Sequence, residues 1–148
     1  MVGREADIGP RLGARLTYLL KRAFLELEDL HRDLLVESGV NARELAVLLL
    51  LDGREPESQQ QAAGRLGVDR TTMVGLVDGL EAKGLVERRA DPADRRRNVV
   101  ALTDAGGSTL RRATTASDEA ERRLLETLDD GEAAQLRSLL ARIATSTD

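Results

Sequence analysis

Hydrophobic residues recur every three or four positions in the first part of the chain, which is the spacing of one face of an α-helix. The apolar positions of this stripe are Leu12, Leu16, Leu19, Leu20, Phe24, Leu27, Leu30 and Leu34. We predict one long helix from about Pro10, a residue favoured in a first helical turn, to about Glu37. Ser38 and Gly39 end it, because glycine accepts the left-handed backbone found at helix C-termini.

The next segment predicts a shorter and more buried helix. Asn41 is a favourable N-cap, and the side chain of Glu44 can reach back to the same turn. Residues 45–51 are all apolar, so nearly every face of this helix is apolar and we expect it to be buried on most sides. The helix is expected to end near Asp52 and Gly53.

Residues 58–83 have the pattern of two short helices joined by a tight turn. Ser58 is placed to cap a helix over residues 59–66, and Asp69 to cap a helix from Arg70 to about Lys83. Two short helices joined by a glycine-containing turn form a helix-turn-helix. The apolar face that holds the two helices together comprises Ala63, Val68, Met73, Leu76, Val77 and Leu80.

A β-hairpin is expected next, with strands over residues 85–89 and 98–102, the second rich in valine. Between them, residues 90–97 form a polar loop in which Pro92 and neighbouring aspartates favour a bend. A hairpin that follows a helix-turn-helix is called a wing, and this wing has a strongly basic tip.

The remainder of the chain predicts two helices. Thr103 can cap the first, with Asp104 at the positive end of its dipole, while Gly106 and Gly107 weaken the first turn, which we expect to fray. Apolar positions continue at Leu110, Ala113, Ala120, Leu124, Leu125 and Leu128. Residues 129–131 interrupt the pattern, and a last amphipathic helix carries Leu136, Leu139, Leu140 and Ile143.

The predicted fold is therefore mainly α with a small β-hairpin, in one domain over residues 1–148. A winged helix-turn-helix lobe occupies residues 41–102, with the helix-turn-helix at about 59–83 and the wing at about 85–102. Helices at residues 10–37 and 103–146 flank it, and their apolar stripes have no second domain to cover them. A second copy of the chain would cover them, so we expect a symmetric homodimer.

Composition excludes several classes of chemistry. The chain has no cysteine and a single histidine, His31, which excludes disulfides and thiol chemistry and leaves too few ligands for a conventional zinc or haem site. It also lacks a phosphate-binding loop and a nucleophile elbow. We therefore expect no cofactor, no metal and no enzymatic activity.

The sequence also argues against a membrane location. The longest apolar run, residues 45–51, is far too short to span a bilayer. The first residues are polar and charged, unlike a signal peptide. We expect a cytoplasmic protein without a membrane partner.

Charge is unevenly distributed along the chain. The formal net charge is −4, but residues 58–103 contain eight Lys and Arg against six Asp and Glu, which leaves −6 for the rest. Five arginines lie within residues 88–97. A basic element on an acidic body directs one face towards phosphates, so the sequence predicts binding to double-stranded DNA.

The start of the second helix of the helix-turn-helix is the expected base-reading element. Arg70 can read guanine in the major groove, Thr71 and Thr72 can contact bases or phosphates, and Val74 can touch a thymine methyl group. Alternatively, the threonines merely favour the first helical turn. At the start of the preceding helix, the expected phosphate contacts are Ser58, Gln59 and Gln60, although Ser58 is equally explained as a cap.

The wing supplies the second group of candidate DNA contacts. Arg95, Arg96 and Arg97 lie at its tip, where a guanidinium can enter the narrow, electronegative minor groove. The alternative is a solvated charged loop. Arg88 and Arg89 are expected to contact phosphates or to brace the wing, and the sequence leaves open which of them faces DNA.

Three motifs occur in a fixed order within residues 67–106. They are Gly-Leu-Val-Glu-Arg-Arg at 84–89, Asp-Pro-Ala-Asp-Arg-Arg at 91–96 and Leu-Thr-Asp-Ala-Gly at 102–106. Together with the preceding helix-turn-helix and the flanking helices, they resemble the MarR family of transcriptional regulators. The resemblance implies a dimer that binds a pseudo-palindromic operator and usually represses nearby genes, with Asp94 orienting Arg96 towards the minor groove. Val74 and Gly75 stand where relatives often carry Thr and Arg, so the usual base readout is not transferred.

The resemblance also implies an effector. Many members release DNA when a small, often aromatic or phenolic, ligand binds between the dimerisation helices and the DNA-binding lobe. The candidate effector residues here are Tyr18, Arg22 and His31; Tyr18 and Arg22 share a helix face. Phe24 is better explained by packing. The sequence does not identify the ligand, and the absence of cysteine disfavours the thiol-switched members.

Two other interpretations remain open. The chain could be a winged-helix regulator of another family, although the order of the three motifs favours MarR. It could also be a helical adaptor dimer that does not bind DNA. An adaptor would explain the apolar terminal helices but not the basic tip of the hairpin.

Overall fold

The computed structural model describes residues 7–146 and consists of helices and one two-stranded sheet. In chain order, the elements are α1 (Gly9–Gly13), α2 (Leu16–Leu34), α3 (Ala42–Leu51), α4 (Gln59–Leu66), α5 (Arg70–Ala82), β1 (Val86–Ala90), β2 (Asn98–Leu102), α6 (Asp104–Leu124) and α7 (Asp130–Thr145). They form two compact units, one of residues 31–118 and the other of the segments on either side. Residues 1–6, part of the stretch considered above for a signal peptide, lie outside the described residues.

The single N-terminal helix predicted over residues 10–37 is wrong. The structure breaks it between α1 and α2, where the backbone N–H of Arg15 bonds to the carbonyl of Leu12, three residues back, at 3.0 Å. Gly13 at the end of α1 favours the break, because glycine disfavours a helix interior by roughly 1 kcal/mol relative to alanine. The far end stops at Leu34 and tightens into a 3₁₀ turn, Val36–Ser38.

Gly39 ends this 3₁₀ turn in the left-handed conformation, with φ 77°, as predicted. The following helix α3 is capped as expected. Asn41 Oδ1 accepts a hydrogen bond from the backbone N–H of Glu44 at 2.9 Å, and Glu44 Oε1 accepts one from the N–H of Asn41 at 3.1 Å. Glu44, Leu45, Val47 and Leu48 of α3 are buried, whereas the side chain of Leu49 is 50% exposed. The helix is therefore buried on fewer sides than predicted.

The core of the 31–118 unit holds the helix-turn-helix together. Its buried members come from α3, α4, α5, both strands and α6, and they include Leu45, Leu48, Ala63, Met73, Val77, Leu80, Val86, Val100, Leu110 and Ala113. Three of them, at positions 73, 77 and 80, lie along α5. One face of α5 is thus fixed in the core, while the opposite face stays at the surface.

The hairpin is antiparallel, with Val86 opposite Leu102 and Ala90 opposite Asn98. Its first strand starts one residue later than predicted because the N–H of Leu85 still bonds back to Leu80 O, at 3.0 Å. A third segment joins the sheet through an isolated bridge, in which the N–H of Val100 donates to the carbonyl of Glu57 at 2.9 Å. The wing is therefore tied to the segment that precedes α4.

The first turn of α6 is held in place rather than frayed. Thr103 Oγ accepts from the N–H of Gly106 at 3.0 Å and donates to the carbonyl of Gly84 at 2.7 Å. Gly106 is buried, and a Cβ built on it would lie 2.0 Å from the carbonyl oxygen of Leu85. The glycine that weakens the helix locally is thus what allows α6 to start against the base of the wing.

The other unit contains α1, most of α2, the end of α6 and α7. Asp129 caps α7 in a reciprocal box with Glu132. Hydrogen bonds from Arg122 and Arg123 lower the pKa of Glu119 to about 2. This unit leaves many large apolar side chains exposed, namely Leu12, Leu16, Leu19, Leu20, Phe24, Leu25, Leu139, Leu140 and Ile143. Within residues 7–146, no helix is long and apolar enough to cross a bilayer.

Candidate nucleic-acid interface

The start of α5 is a capped helix end with exposed side chains. Asp69 Oδ1 accepts from the N–H of Thr72 at 2.7 Å, and Asp69 Oδ2 accepts from the Thr72 hydroxyl at 2.8 Å. The backbone bond from Thr72, followed by the hydroxyl bond, lowers the pKa of Asp69. Thr72 is therefore committed to the cap and half-buried, whereas Arg70 and Thr71 are exposed.

The residues in the middle of α5 have small side chains. Val74 is half-buried and Gly75 is exposed. A Cβ built on Gly75 would meet nothing within 4 Å, so packing within the chain does not require glycine here. The surface at this point of α5 is bare backbone that another molecule can approach closely.

Helix α4 starts with a reciprocal cap that sequence reasoning found only in part. Ser58 Oγ accepts from the N–H of Gln61 at 3.2 Å, and Gln61 Oε1 accepts from the N–H of Ser58 at 3.0 Å. The capping interpretation of Ser58 is thus confirmed, and the Ser-x-x-Gln spacing was the signal for its partner. Gln59 is half-buried against Arg88, and Gln60 is exposed.

The structure separates the two arginines of β1. Arg88 binds Asp78 at 2.5 Å and Glu81 at 2.8 Å, whereas Arg89 is exposed beside Glu87 at 3.3 Å. Burial by itself lowers the pKa of the Arg88 guanidinium, but the hydrogen bond to Asp78 and the charge of Glu81 outweigh it, so the pKa is raised. Arg88 thus braces the wing within the protein.

The wing tip is an ordered turn that carries exposed arginines. Asp94 Oδ1 accepts from the backbone N–H of Arg96 at 3.1 Å, and the carbonyl of Asp94 accepts from the N–H of Arg97 at 3.0 Å. Asp94 therefore stabilises the backbone of the loop, and in this structure it does not form an ion pair with the Arg96 guanidinium. The side chains of Arg95, Arg96 and Arg97 are exposed to solvent.

A second charged cluster stabilises the attachment of the wing, and sequence reasoning missed it. The carboxylate of Glu57 accepts from Arg65 Nε at 2.7 Å and 2.9 Å, and from Arg54 at 3.2 Å. The hydrogen bond from Arg65 is the main reason why the pKa of Glu57 is lowered. Because Glu57 lies in an irregular segment, no periodicity pointed to these partners.

The candidate effector residues do not fall in one unit. Tyr18 is half-buried and Arg22 exposed, both on the part of α2 that belongs to the terminal unit. His31 belongs to the 31–118 unit, where its Nε2 lies 2.8 Å from Ser117 Oγ. In the described part of the chain, no group of three or more His, Asp or Glu side chains is arranged to hold a metal ion.

Comparison with known proteins decides which family has this arrangement. A sequence model of the MarR family matches residues 38–97. A solved transcriptional regulator of the MarR family from Rhodococcus sp. RHA1 is 32% identical, with a TM-score of 0.85, over 94% of this chain and 100% of its own. The chain belongs to the MarR family of transcriptional regulators.

Two further solved structures are similar to this chain. The transcriptional repressor CouR bound to a 23-mer DNA duplex is 36% identical, with a TM-score of 0.85, over 91% of this chain and 96% of that one. CouR from Rhodococcus jostii RHA1 bound to p-coumaroyl-CoA is 33% identical, with a TM-score of 0.81, over 95% of this chain and 99% of that one.

These similarities confirm the winged helix fold and the resemblance inferred from the wing motifs. In this MarR-family regulator, the segment that matches the family model runs from the end of the 3₁₀ turn to the last arginine of the wing tip. It therefore covers the helix-turn-helix, the first strand of the wing and the wing tip, which carry the candidate DNA contacts.

Proposed function

We propose that this MarR-family regulator binds a pseudo-palindromic operator as a homodimer and represses transcription until a small-molecule effector releases it. The observation that carries the proposal is the pairing of an exposed helix start, at Arg70 and Thr71, with an exposed arginine tip on a braced hairpin. A helix of this kind fits the major groove, and arginines beside it fit the adjacent minor groove.

Each candidate contact has a role in this proposal. Arg70 and Thr71 read base edges from the major groove, and Val74 adds an apolar contact with a thymine methyl group. Arg96 enters the minor groove between Arg95 and Arg97, in a turn that Asp94 shapes. Phosphate contacts come from Ser58, Gln60, Thr72 and Arg89, and Gln59 and Arg88 support them.

The terminal unit supports the homodimer. Nine of its large apolar side chains are more than one third exposed, and exposed apolar patches mark interaction sites. A second copy covers them with the same surface, as in an isologous interface. Two wings and two copies of α5 then face two half-sites.

An effector is supported by the similarity to CouR, which was solved with p-coumaroyl-CoA. In this chain, Tyr18, Arg22 and His31 are the proposed effector contacts, since they combine an aromatic ring with groups that bind carboxylates. The function needs no catalytic step, and it places the protein in the cytoplasm with its operator.

Fluorescence anisotropy tests the proposal. Wild-type protein is titrated at several salt concentrations against duplex DNA from its own upstream region and against scrambled DNA, beside Arg96→Ala and a control, Arg142→Ala on α7. We expect wild type to prefer upstream DNA, and Arg96→Ala to bind it about tenfold more weakly. The slope of log affinity against log salt concentration should become shallower by about 0.9 for each phosphate contact that is lost.

The control removes one positive charge outside the wing and should bind like wild type. If the folded dimer binds neither DNA at low salt, the operator-binding proposal is overturned. If p-coumaroyl-CoA and simple phenolic acids leave the DNA complex intact, the effector is not an aromatic acid or its thioester, while operator binding stands.

A further inference from the structure

Arg88 joins three elements of the winged helix. It lies on β1 opposite Val100, and its side chain is 23% exposed. Its Nη2 reaches Asp78 Oδ1 on α5 at 2.5 Å, and its Nη1 reaches Glu81 Oε1 at 2.8 Å. Its Nε and Nη2 also donate to Gln59 Oε1, on the first residue of α4, at 3.0 Å and 2.7 Å.

The guanidinium is nearly saturated by these partners. Of its five N–H groups, four are donated within the protein. The backbone N–H of Arg88 adds a further bond to Glu81 Oε2 at 3.2 Å. A side chain with one spare donor has little left to offer a phosphate, whereas the neighbouring Arg89 is exposed.

The carboxylates of Asp78 and Glu81 lie on the helix that is proposed to bind DNA, so their charge affects binding. Asp78 and Glu81 are three residues apart and so lie on one side of α5, the helix whose first turns carry the proposed base contacts. Asp78 follows Arg70 by eight residues, which is about 12 Å along the helix and comparable with the Debye length of about 10 Å. Unneutralised carboxylates at that distance from bound bases would repel phosphates. Arg88 compensates them and at the same time ties the wing to α5.

We infer that Arg88 is a positioning residue for operator binding. It holds the wing at a fixed distance and angle from α5 and α4, and it shields DNA from Asp78 and Glu81, without contacting DNA itself. This inference rests on the proposed function, and it assigns to Arg88 a role that Arg89 does not share. Because the wing is already ordered in the free protein, DNA binding costs less conformational entropy, which favours binding.

The test compares Arg88→Met with Arg89→Met, which removes the same charge from the next residue of the strand. Both are titrated against operator and scrambled DNA, at a temperature where each variant is fully folded by circular dichroism. We expect Arg88→Met to lower the ratio of operator to scrambled affinity by about tenfold. Arg89→Met should weaken both affinities to a similar extent and reduce the salt slope by about 0.9.

A double variant, Asp78→Asn with Glu81→Gln, distinguishes a positioning role of Arg88 from direct phosphate binding by its effect on operator affinity. If Arg88 holds the wing and compensates the carboxylates, the double variant binds operator no better than wild type, because the wing loses two of its ties to α5. Adding the double variant to Arg88→Met then recovers part of the lost affinity, because the uncompensated carboxylates are gone. If Arg88 is a phosphate ligand held back by the carboxylates, the double variant binds more tightly than wild type, which overturns the inference.

Hydrogen exchange of the free protein supplies a readout without DNA. Amides of residues 86–102 should exchange faster in Arg88→Met and be unchanged in Arg89→Met. Equal protection in the two variants overturns the inference while leaving the proposed function intact. A wild-type protein with no preference for operator overturns the proposed function, and with it any role of Arg88 in operator binding.

Discussion

Two adjacent glycines at the start of α6, Gly106 and Gly107, have different surroundings, and these decide whether a larger residue is tolerated. Gly106 is buried against the chain that leaves α5, and a Cβ there would lie 2.0 Å from the carbonyl oxygen of Leu85 and 3.0 Å from Leu102 Cδ1. A Cβ on Gly107 would meet only the flexible end of Arg111, at 3.8 Å. The same residue type is thus required at one position and tolerated at the next.

Gly106→Ala is therefore expected to destabilise the protein by at least about 1–3 kcal/mol, the usual cost of overpacking, because a carbonyl oxygen of the backbone cannot move aside as a side chain can. Gly107→Ala, the matched control, is expected to be neutral or to stabilise by up to about 1 kcal/mol through helix propensity. Urea unfolding followed by circular dichroism measures both. Equal midpoints for the two variants would show that α6 does not start against Leu85.

Helix α5 depends on its tertiary contacts more than on its own propensity. It contains Gly75 and Gly79, yet its buried face is in the core and its first turn is capped by Asp69. At its end, Lys83 Nζ donates to Glu44 at 2.9 Å and 3.0 Å and to the carbonyl of Gly39 at 2.8 Å. Helices of this length gain most of their stability from packing, so α5 tolerates glycines outside its buried face.

Gly75→Ala separates stability from DNA binding at the level of this element. Because the added Cβ enters open space, we expect the free energy of unfolding to rise by roughly 1 kcal/mol. We expect operator affinity to fall severalfold, since the methyl group occupies space that the close approach of DNA requires. Unfolding and anisotropy titrations measure the two effects.

The control for this variant is Gly64→Ala on α4, where a Cβ likewise meets nothing within 4 Å. It should add stability without weakening operator binding. If Gly75→Ala binds operator as tightly as wild type, DNA does not approach the backbone of α5 at this residue.

At the scale of the whole molecule, charge and apolar surface are divided between different parts of the chain. Residues 58–103 carry the net positive charge, and the rest carries the net negative charge. The large exposed apolar side chains lie mainly in the terminal segments, with Leu16 64%, Ile143 63% and Phe24 59% exposed. This division suits a protein in which one part attracts phosphates while another joins two copies of the chain.

Phe24→Glu tests whether the exposed apolar side chains of the terminal segments form the dimer interface. A charge in an apolar interface is costly to desolvate, so we expect the variant to sediment as a monomer at concentrations where wild type is a dimer. Operator affinity should fall with it, because a monomer engages one half-site. Sedimentation equilibrium over a range of protein concentrations gives the mass of each species.

Lys21→Ala on the same helix changes the net charge by the same amount and serves as the control, which should remain dimeric. A Phe24→Glu protein that keeps the wild-type mass and operator affinity would place the interface elsewhere on the chain.

Local signals account for most of the predicted elements. The caps at Asn41, Ser58 and Asp69, the turn at Gly39 and the strand over residues 98–102 are confirmed, since each depends on interactions within a few residues. The long helix over residues 10–37 is wrong, because periodicity reports a common face and does not detect a short tightened turn. The DNA contacts, from Arg70 to the wing-tip arginines, stay predictions that the titrations above test.

The sequence by itself determined the order of elements from α3 onwards, the winged helix architecture and the location of the basic tip, because caps, turns and alternation are encoded at short range. Tertiary structure alone decided which charged groups meet. Arg88 finds Gln59 and Asp78, which are 29 and 10 residues away, and Gly106 meets Leu85 across the base of the wing. Such partners depend on how several elements pack against a shared core, and a pattern read along one element shows which face is buried but not what lies opposite it.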